Sequence, residues 1–232
     1  MFAFLPIFLL LAQLFAPLNA AAIVSSALER RQSSAARGTF YGGNVGGGTC
    51  SFSGYTLPSG VYGTALSGAN WNNAANCGGC VSVTGPNGKK ITAMIVDQCP
   101  ECPSNGLDLF QDAFAQLADI SKGVITLGWQ YVACPITTPL KIHMKSGVSQ
   151  YWFSAQVVNG KRRTTKMEVS TDGGKTYRGT DKRQPYNFFE ISSGIGATKA
   201  TIRITSETGS TIVVPNVPMT GDAVVTASGN YA

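Results

Sequence analysis

The sequence predicts a mainly β protein built as two small domains in tandem, and three observations carry that expectation. Only 13% of the 232 residues are charged, about half the usual share, while 27 are glycine. Low charge with abundant Gly, Thr, Ser and Val favours short strands and tight turns over long helices. All six cysteines, Cys50, Cys77, Cys80, Cys99, Cys102 and Cys134, precede residue 135. The chain beyond them is cysteine-free and made of short alternating runs, as expected of a second, separately built domain.

The chain begins with MFAFLPIFLLLAQLFAPLNA. This apolar run is short, interrupted by proline and closed by small residues, so residues 1–20 read as a secretory signal peptide rather than a membrane anchor. Residues 21–37 follow as a pro-segment or disordered stretch, with the dibasic pair Arg30-Arg31 as a candidate processing site. No other run is apolar enough to span a bilayer, so a secreted, extracellular protein without a membrane partner is expected. An even cysteine count behind a secretory signal favours disulfides. The pairs Cys77-x-x-Cys80 and Cys99-x-x-Cys102 also have zinc-knuckle spacing, but an oxidising route and two further cysteines weigh against a metal site.

The first domain is expected over residues 38–135. GTFYGGNVGGGTC is too glycine-rich for a helix and suits a strand and a loose turn. CVSVTGPNGKKITAMIVDQC reads as a hairpin: Val81 and Val83 alternate with polar neighbours, Gly-Pro-Asn-Gly turns the chain, and Ile91 to Val96 return. DLFQDAFAQLAD is the convincing helix, with Leu109, Ala113, Gln116 and Leu117 near one side together with Phe110 and Phe114, and Asp108 placed to cap or begin it. VITLGWQYVAC closes the domain as a strand. Residues 136–139 are a linker in which Pro139 stops a continuing strand. The second domain, 140–226, offers KIHMK, YWFSAQVV, KMEVS, FFEIS, TIRITS and STIVVP between turn residues, a pattern that suggests a β-sandwich. Residues 227–232, ASGNYA, are expected to fray.

The motifs GTFYGG, CGGCVSVTGPNGK, IVDQCPEC, GLDLFQDAFAQLA and GWQYVACP stand in the order found in expansins, and the chain resembles that family over nearly all of its expected mature part. The resemblance implies a six-stranded double-psi β-barrel with a short helix, shared with family 45 endoglucanases and barwin-type proteins. The later run KSGVSQYWFSAQVVNGKRRTTKMEVSTDGG, with QPYNFFE, is similar to the family 63 carbohydrate-binding domain, an immunoglobulin-like β-sandwich. The pairing it implies is Cys50–Cys77, Cys80–Cys134 and Cys99–Cys102.

Two carboxylates stand out in the first domain, Asp97 at the end of an apolar strand and Asp108 at the start of the expected helix. From the residues alone, Asp108 reads first as a plain helix cap. The resemblance places both in a polysaccharide groove together with Thr39, and ties Asp97 most closely to wall loosening. Standard glycoside hydrolysis needs an acid and a second carboxylate. In the related endoglucanases the acid matches Asp108 and the base lies near Thr39, where this strand has no Asp or Glu. Lytic transglycosylases on a related barrel work with one Asp, so a single-carboxylate activity of Asp108 stays open. Bacterial expansins carry a tyrosine shortly after the first Asp. Here DQCPEC stands in its place, and Tyr41 and Trp71 become candidates for stacking on sugar, with Trp71 read as exposed among Asn and Gly.

In the second domain Tyr151, Trp152 and Phe153 are consecutive, and alternation on a strand forbids all three from the core. The resemblance matches Tyr151, Trp152 and Tyr186 to a row of three binding aromatics and Lys145 to a binding lysine. On one regular strand, adjacent residues would share a face only through a bulge. The net charge of +6, with Lys161, Arg162, Arg163 and Lys166 close together, suits contact with acidic polymers such as pectin. No nucleic-acid motif accompanies it, and His143 has no ligand partner for a metal. The expected protein is a monomer without cofactor that binds cellulose, chitin or a related glucan without hydrolysing it. A weak hydrolase or transglycosylase, and a secreted binding or effector module, are the alternatives.

Overall fold

The computed structural model describes residues 33–232. The signal peptide and most of the pro-segment expected from the sequence lie outside those residues. Strand β1, Ser33–Tyr41, begins five residues before the expected boundary at 38. Residues 33–37 therefore belong to the first domain, because β1 pairs with the closing strand as far back as Ser33↔Trp129.

Five more strands complete a closed barrel: β2 Val61–Ser67, β3 Cys80–Thr84, β4 Lys90–Cys99, β5 Leu107–Phe110 and β6 Ile125–Val132. The order around the barrel is β1-β5-β2-β4-β3-β6. β3 and β4 form the expected hairpin, while β1/β5 and β2/β4 run parallel. Closure leaves no free sheet edge. The sequence pattern did not reveal β2, because nearly every one of its positions is buried and small residues replace the alternation that marks a half-buried strand. The helix is shorter than expected. α1 spans Gln111–Leu117 and packs Ala113, Phe114 and Leu117 against the barrel. Asp108 does not cap it; it is paired inside β5, with β1 on one side and β2 on the other.

The second domain is a β-sandwich. One sheet has the order β10-β9-β13-β14 and the other β11-β12-β8-β7-β15. The strands are β7 Lys141–Met144, β8 Phe153–Val158, β9 Thr164–Ser170, β10 Arg178–Gly179, β11 Lys182–Arg183, β12 Phe189–Ile191, β13 Lys199–Ser206, β14 Thr211–Pro218 and β15 Val224–Thr226. Leu140, Ile142, Phe153, Met167, Ile202 and Ile204 are among the buried residues between the sheets. The C-terminal tail is not frayed. Ala227 N–H donates to the Leu140 carbonyl, Leu140 N–H to that of Gly229, and Tyr231 is buried with its hydroxyl 2.8 Å from Thr164 Oγ1.

All six cysteines are bridged, as Cys50–Cys77, Cys80–Cys134 and Cys99–Cys102, the pairing the resemblance implies. No thiolate is left to ligate zinc. The domains meet over a packed, hydrogen-bonded interface. Val158 of the sandwich is buried in the barrel's apolar cluster, and so is Ile136, one of the expected linker residues. Gln156 Nε2 donates to the Ser51 carbonyl at 3.0 Å, and the Cys134 N–H to that of Lys161 at 2.9 Å.

Candidate functional site

The barrel's register builds the first half of the site. Thr39 on β1 faces Asp108 on β5, Asp108 faces Ala65 on β2, and Ala65 faces Asp97 on β4. One row across four adjacent strands thus carries both carboxylates at the same level, separated by a small buried alanine. A shift in the β2/β4 register between Thr64 and Ala65 is what brings Asp97 into that row.

Asp97 is held by four donors. The Thr49 N–H (2.7 Å), Thr49 hydroxyl (2.8 Å) and Gln98 N–H (2.8 Å) reach Oδ1, and the Tyr41 hydroxyl reaches Oδ2 at 3.1 Å. The Thr49 loop comes this close because Gly48 has no side chain: a Cβ there would lie 2.3 Å from the Val96 carbonyl oxygen. Tyr41 rests edge-on against Phe110, with ring centroids 5.6 Å apart. Burial, reinforced by the Asp97 charge, drives its phenol far above the ordinary tyrosine range, so it is a hydrogen-bond donor at any working pH.

Asp108 Oδ1 accepts a hydrogen bond from the Thr39 hydroxyl. Burial raises its pKa; the Thr39 bond opposes that, and the charges of Glu101 and Asp97 add to it. Arg37, Thr39, Cys99, Glu101, Cys102, Pro103 and Asp108 line one open cleft. The resemblance implies a groove with Thr39, Asp97 and Asp108 and leaves Tyr41 as a stacking candidate, which here bonds Asp97 and packs on Phe110; Arg37, Thr49 and Glu101 are not among the expected residues. Glu101 carried a signal, since it lies inside the Cys99–Cys102 loop, whereas nothing in the sequence marks Thr49 as a partner of Asp97.

Trp71 is not exposed. It is buried, and its indole N–H donates to the Pro185 carbonyl of the sandwich at 3.1 Å. Two of its polar neighbours bond the sandwich: Asn73 Nδ2 donates to the Arg183 carbonyl and Asn76 Oδ1 accepts from Arg163.

In the second domain Tyr151 and Trp152 are not strand residues. They lie in a tight turn ahead of β8, closed by reciprocal backbone bonds between Ser149 and Trp152. The turn frees the pair from strand alternation, so no bulge is needed. Tyr151 is 74% exposed, the most exposed large hydrophobic residue described. Trp152 is half-buried and packs partly on the sandwich core. The loop after β12 holds the turn in place. Ile195 and Gly196 N–H groups both donate to the Gln150 carbonyl, and Gly194, at φ +68°, passes too close to Tyr151 to carry a side chain. Tyr186 is half-buried, its ring 6.1 Å from Phe188, and Lys145 Nζ sits 5.4 Å and 5.2 Å from those two ring centroids. A cation over aromatic faces is favourable, so Lys145 and Tyr186 form one cluster.

The basic run Lys161–Lys166 is partly committed elsewhere. Arg163 bonds Asn76 and lies 4.1 Å from the Tyr131 ring centroid, and Lys166 pairs with Glu168 at 2.7 Å. Among the described residues no group of three or more His, Cys, Asp or Glu side chains is arranged to hold a metal ion.

A closed barrel with a row of carboxylates, fused to a sandwich that displays aromatics on turns, defines the class. The Barwin family matches over residues 59–134, the barrel from β2 to β6. The chain is 32% identical to expansin-YoaJ of Bacillus subtilis over 171 residues, 71% of this chain and 72% of that one. The fold superposes on apo Clavibacter michiganensis expansin with a TM-score of 0.76 at 28% identity, covering 85% of this chain and 97% of the other. A mutant of the Clavibacter expansin crystallised in complex with cellohexaose matches equally well, with a TM-score of 0.76. The chain belongs to the expansin family.

Proposed function

We propose that this protein is a secreted, non-hydrolytic binder and loosener of cell-wall polysaccharide, with cellulose, chitin or a related glucan as its ligand. One observation carries the reading. Thr39 and Asp108 line an open cleft, with Asp97 in the same strand row, yet β1 has no Asp or Glu near Thr39, where the resemblance puts the second carboxylate of the related endoglucanases. Asp97 and Asp108 are the carboxylate acceptors of the row for sugar hydroxyls. The sandwich acts as the carbohydrate-binding domain through Tyr151, Trp152, Tyr186 and Lys145. An exposed tyrosine on a rigid turn suits the apolar face of a pyranose ring. The Clavibacter expansin bound to cellohexaose supports the ligand class. Among the described residues no helix is long and apolar enough to cross a membrane.

A specific observation favours a second reading. Burial keeps the Asp108 carboxyl above the usual carboxylate range, a property of general acids, so a slow single-Asp lytic activity is the competing account. The test of the first reading pairs two measurements on one sample: sedimentation with insoluble cellulose and chitin, and the tensile strength of filter paper. Tyr151→Ala is expected to cut sedimentation several-fold with the melting temperature unchanged, and the intact protein to weaken paper. A protein that stays in the supernatant with both polysaccharides and leaves paper strength unchanged would overturn the reading.

A further inference from the structure

Tyr186 lies on a short turn whose ends are tied by Gln184 N–H to the Phe188 carbonyl at 2.7 Å and Asn187 N–H to that of Gln184 at 3.0 Å. The sandwich closes this turn, but the barrel grips it. Trp71 Nε1 donates to the Pro185 carbonyl at 3.1 Å and Asn73 Nδ2 to the Arg183 carbonyl at 2.6 Å. On the far side of Tyr186, buried Asn187 donates to the Cys50 carbonyl at 3.4 Å. The residues at both flanks of Tyr186 are therefore bonded to the other domain.

The gripping segment is itself strained. Asn72, Asn73 and Ala74 are consecutive at φ +47°, +51° and +62°. Left-handed conformation is unfavourable for L-residues, and Ala lacks the polar side chain that eases it for Asn. Such strain persists only where the surroundings over-determine it. Here the segment is pinned by Asn76 Nδ2 to the Asn70 carbonyl at 2.7 Å, by Ala75 N–H to Asn72, and by the Cys77 bridge to Cys50. A buried indole N–H needs a partner, and the Tyr186 turn supplies it.

We propose that the barrel segment Trp71–Asn76 is a clamp that sets Tyr186, making Trp71 a positioning residue for polysaccharide binding by the second domain. The proposal rests on the reading of Tyr186 as a sugar contact. The two domains then share one binding surface in a specific sense: a barrel side chain fixes the orientation of a sandwich aromatic.

The test is a double-mutant cycle on the full chain, read as binding isotherms to microcrystalline cellulose with melting temperatures alongside. Trp71→Phe keeps an aromatic ring, smaller than the indole, but loses the donor, and losing one such bond is expected to weaken binding about three- to tenfold. In a Tyr186→Ala background the same change is expected to have no further effect. Asn73→Gly, which removes a donor and accepts the positive φ, is the second clamp variant and is expected to behave alike should Trp71→Phe misfold. If Tyr186→Ala binds as the parent does, the sugar-contact reading falls, and the clamp with it. If Tyr186→Ala weakens binding while both clamp variants bind normally, or weaken binding equally in either background, the clamp alone is overturned.

Discussion

The barrel and the sandwich present their candidate binding residues in opposite ways. In the barrel the row Thr39, Asp108, Ala65 and Asp97 is fixed by strand register, in a domain that carries all three disulfides. In the sandwich Tyr151, Trp152 and Tyr186 sit on turns outside the strands, in a domain with no disulfide. The barrel site is thus a property of the sheet, whereas the sandwich site depends on loops and, for Tyr186, on the neighbouring domain. Loss of barrel stability should disturb its groove directly, while the sandwich surface should respond to single side chains with the fold intact.

The largest expected effect tests that division. Cys80–Cys134 spans 54 residues and ties β3 to the end of the barrel. Replacing both cysteines with serine is expected to cost the barrel roughly 3–4 kcal/mol. Differential scanning calorimetry should then show the barrel melting earlier, by about 10 °C or more, with cellulose capture by the sandwich retained below that transition. Simultaneous loss of both domains' structure would mean that the packed interface, not the bridge, governs stability.

Asp97→Asn comes next. Asp97 accepts four hydrogen bonds within the protein. The amide keeps one acceptor oxygen but presents donors to Tyr41, so a stability loss of about 1–3 kcal/mol is expected. Wall loosening should fall by more than that loss explains, measured at a temperature where the variant is fully folded. Unchanged loosening in the folded variant would reduce Asp97 to a structural residue.

The smallest effect concerns Asp108. Burial raises its folded pKa above the unfolded value, so the ionised form costs stability at pH above the folded pKa, and that cost fades as pH falls through it. Asp108→Asn is therefore expected to melt slightly higher than the parent at neutral pH, with the gain shrinking as the pH approaches the ordinary carboxylate range. Thermal melts across a pH series check the sign; a variant less stable at neutral pH would show that the Thr39 bond, not burial, dominates.

Much of this was legible in the sequence, and the parts that were not share a cause. The β3–β4 hairpin could be read because alternation and the Gly-Pro-Asn-Gly turn are local signals. Asp108 was read as a helix start because the apolar spacing of Phe110, Phe114 and Leu117 is helical, yet pairing with β1 and β2 claims residues 107–110 first. The polar neighbours of Trp71 suggest exposure, but the indole itself is buried against the other domain, which Asn73 and Asn76 also bond. Tyr231 was assigned to a fraying tail, while long-range packing on β9 buries it. In each case a contact distant in sequence overrode the local pattern.

The measurement that bears most directly on the account is product analysis after long incubation with cellulose, chitin and peptidoglycan, run beside the paper-strength assay. The account predicts weakened paper with no soluble oligosaccharide from any of the three. Soluble oligosaccharides that disappear in Asp108→Asn would contradict it and make this protein an enzyme.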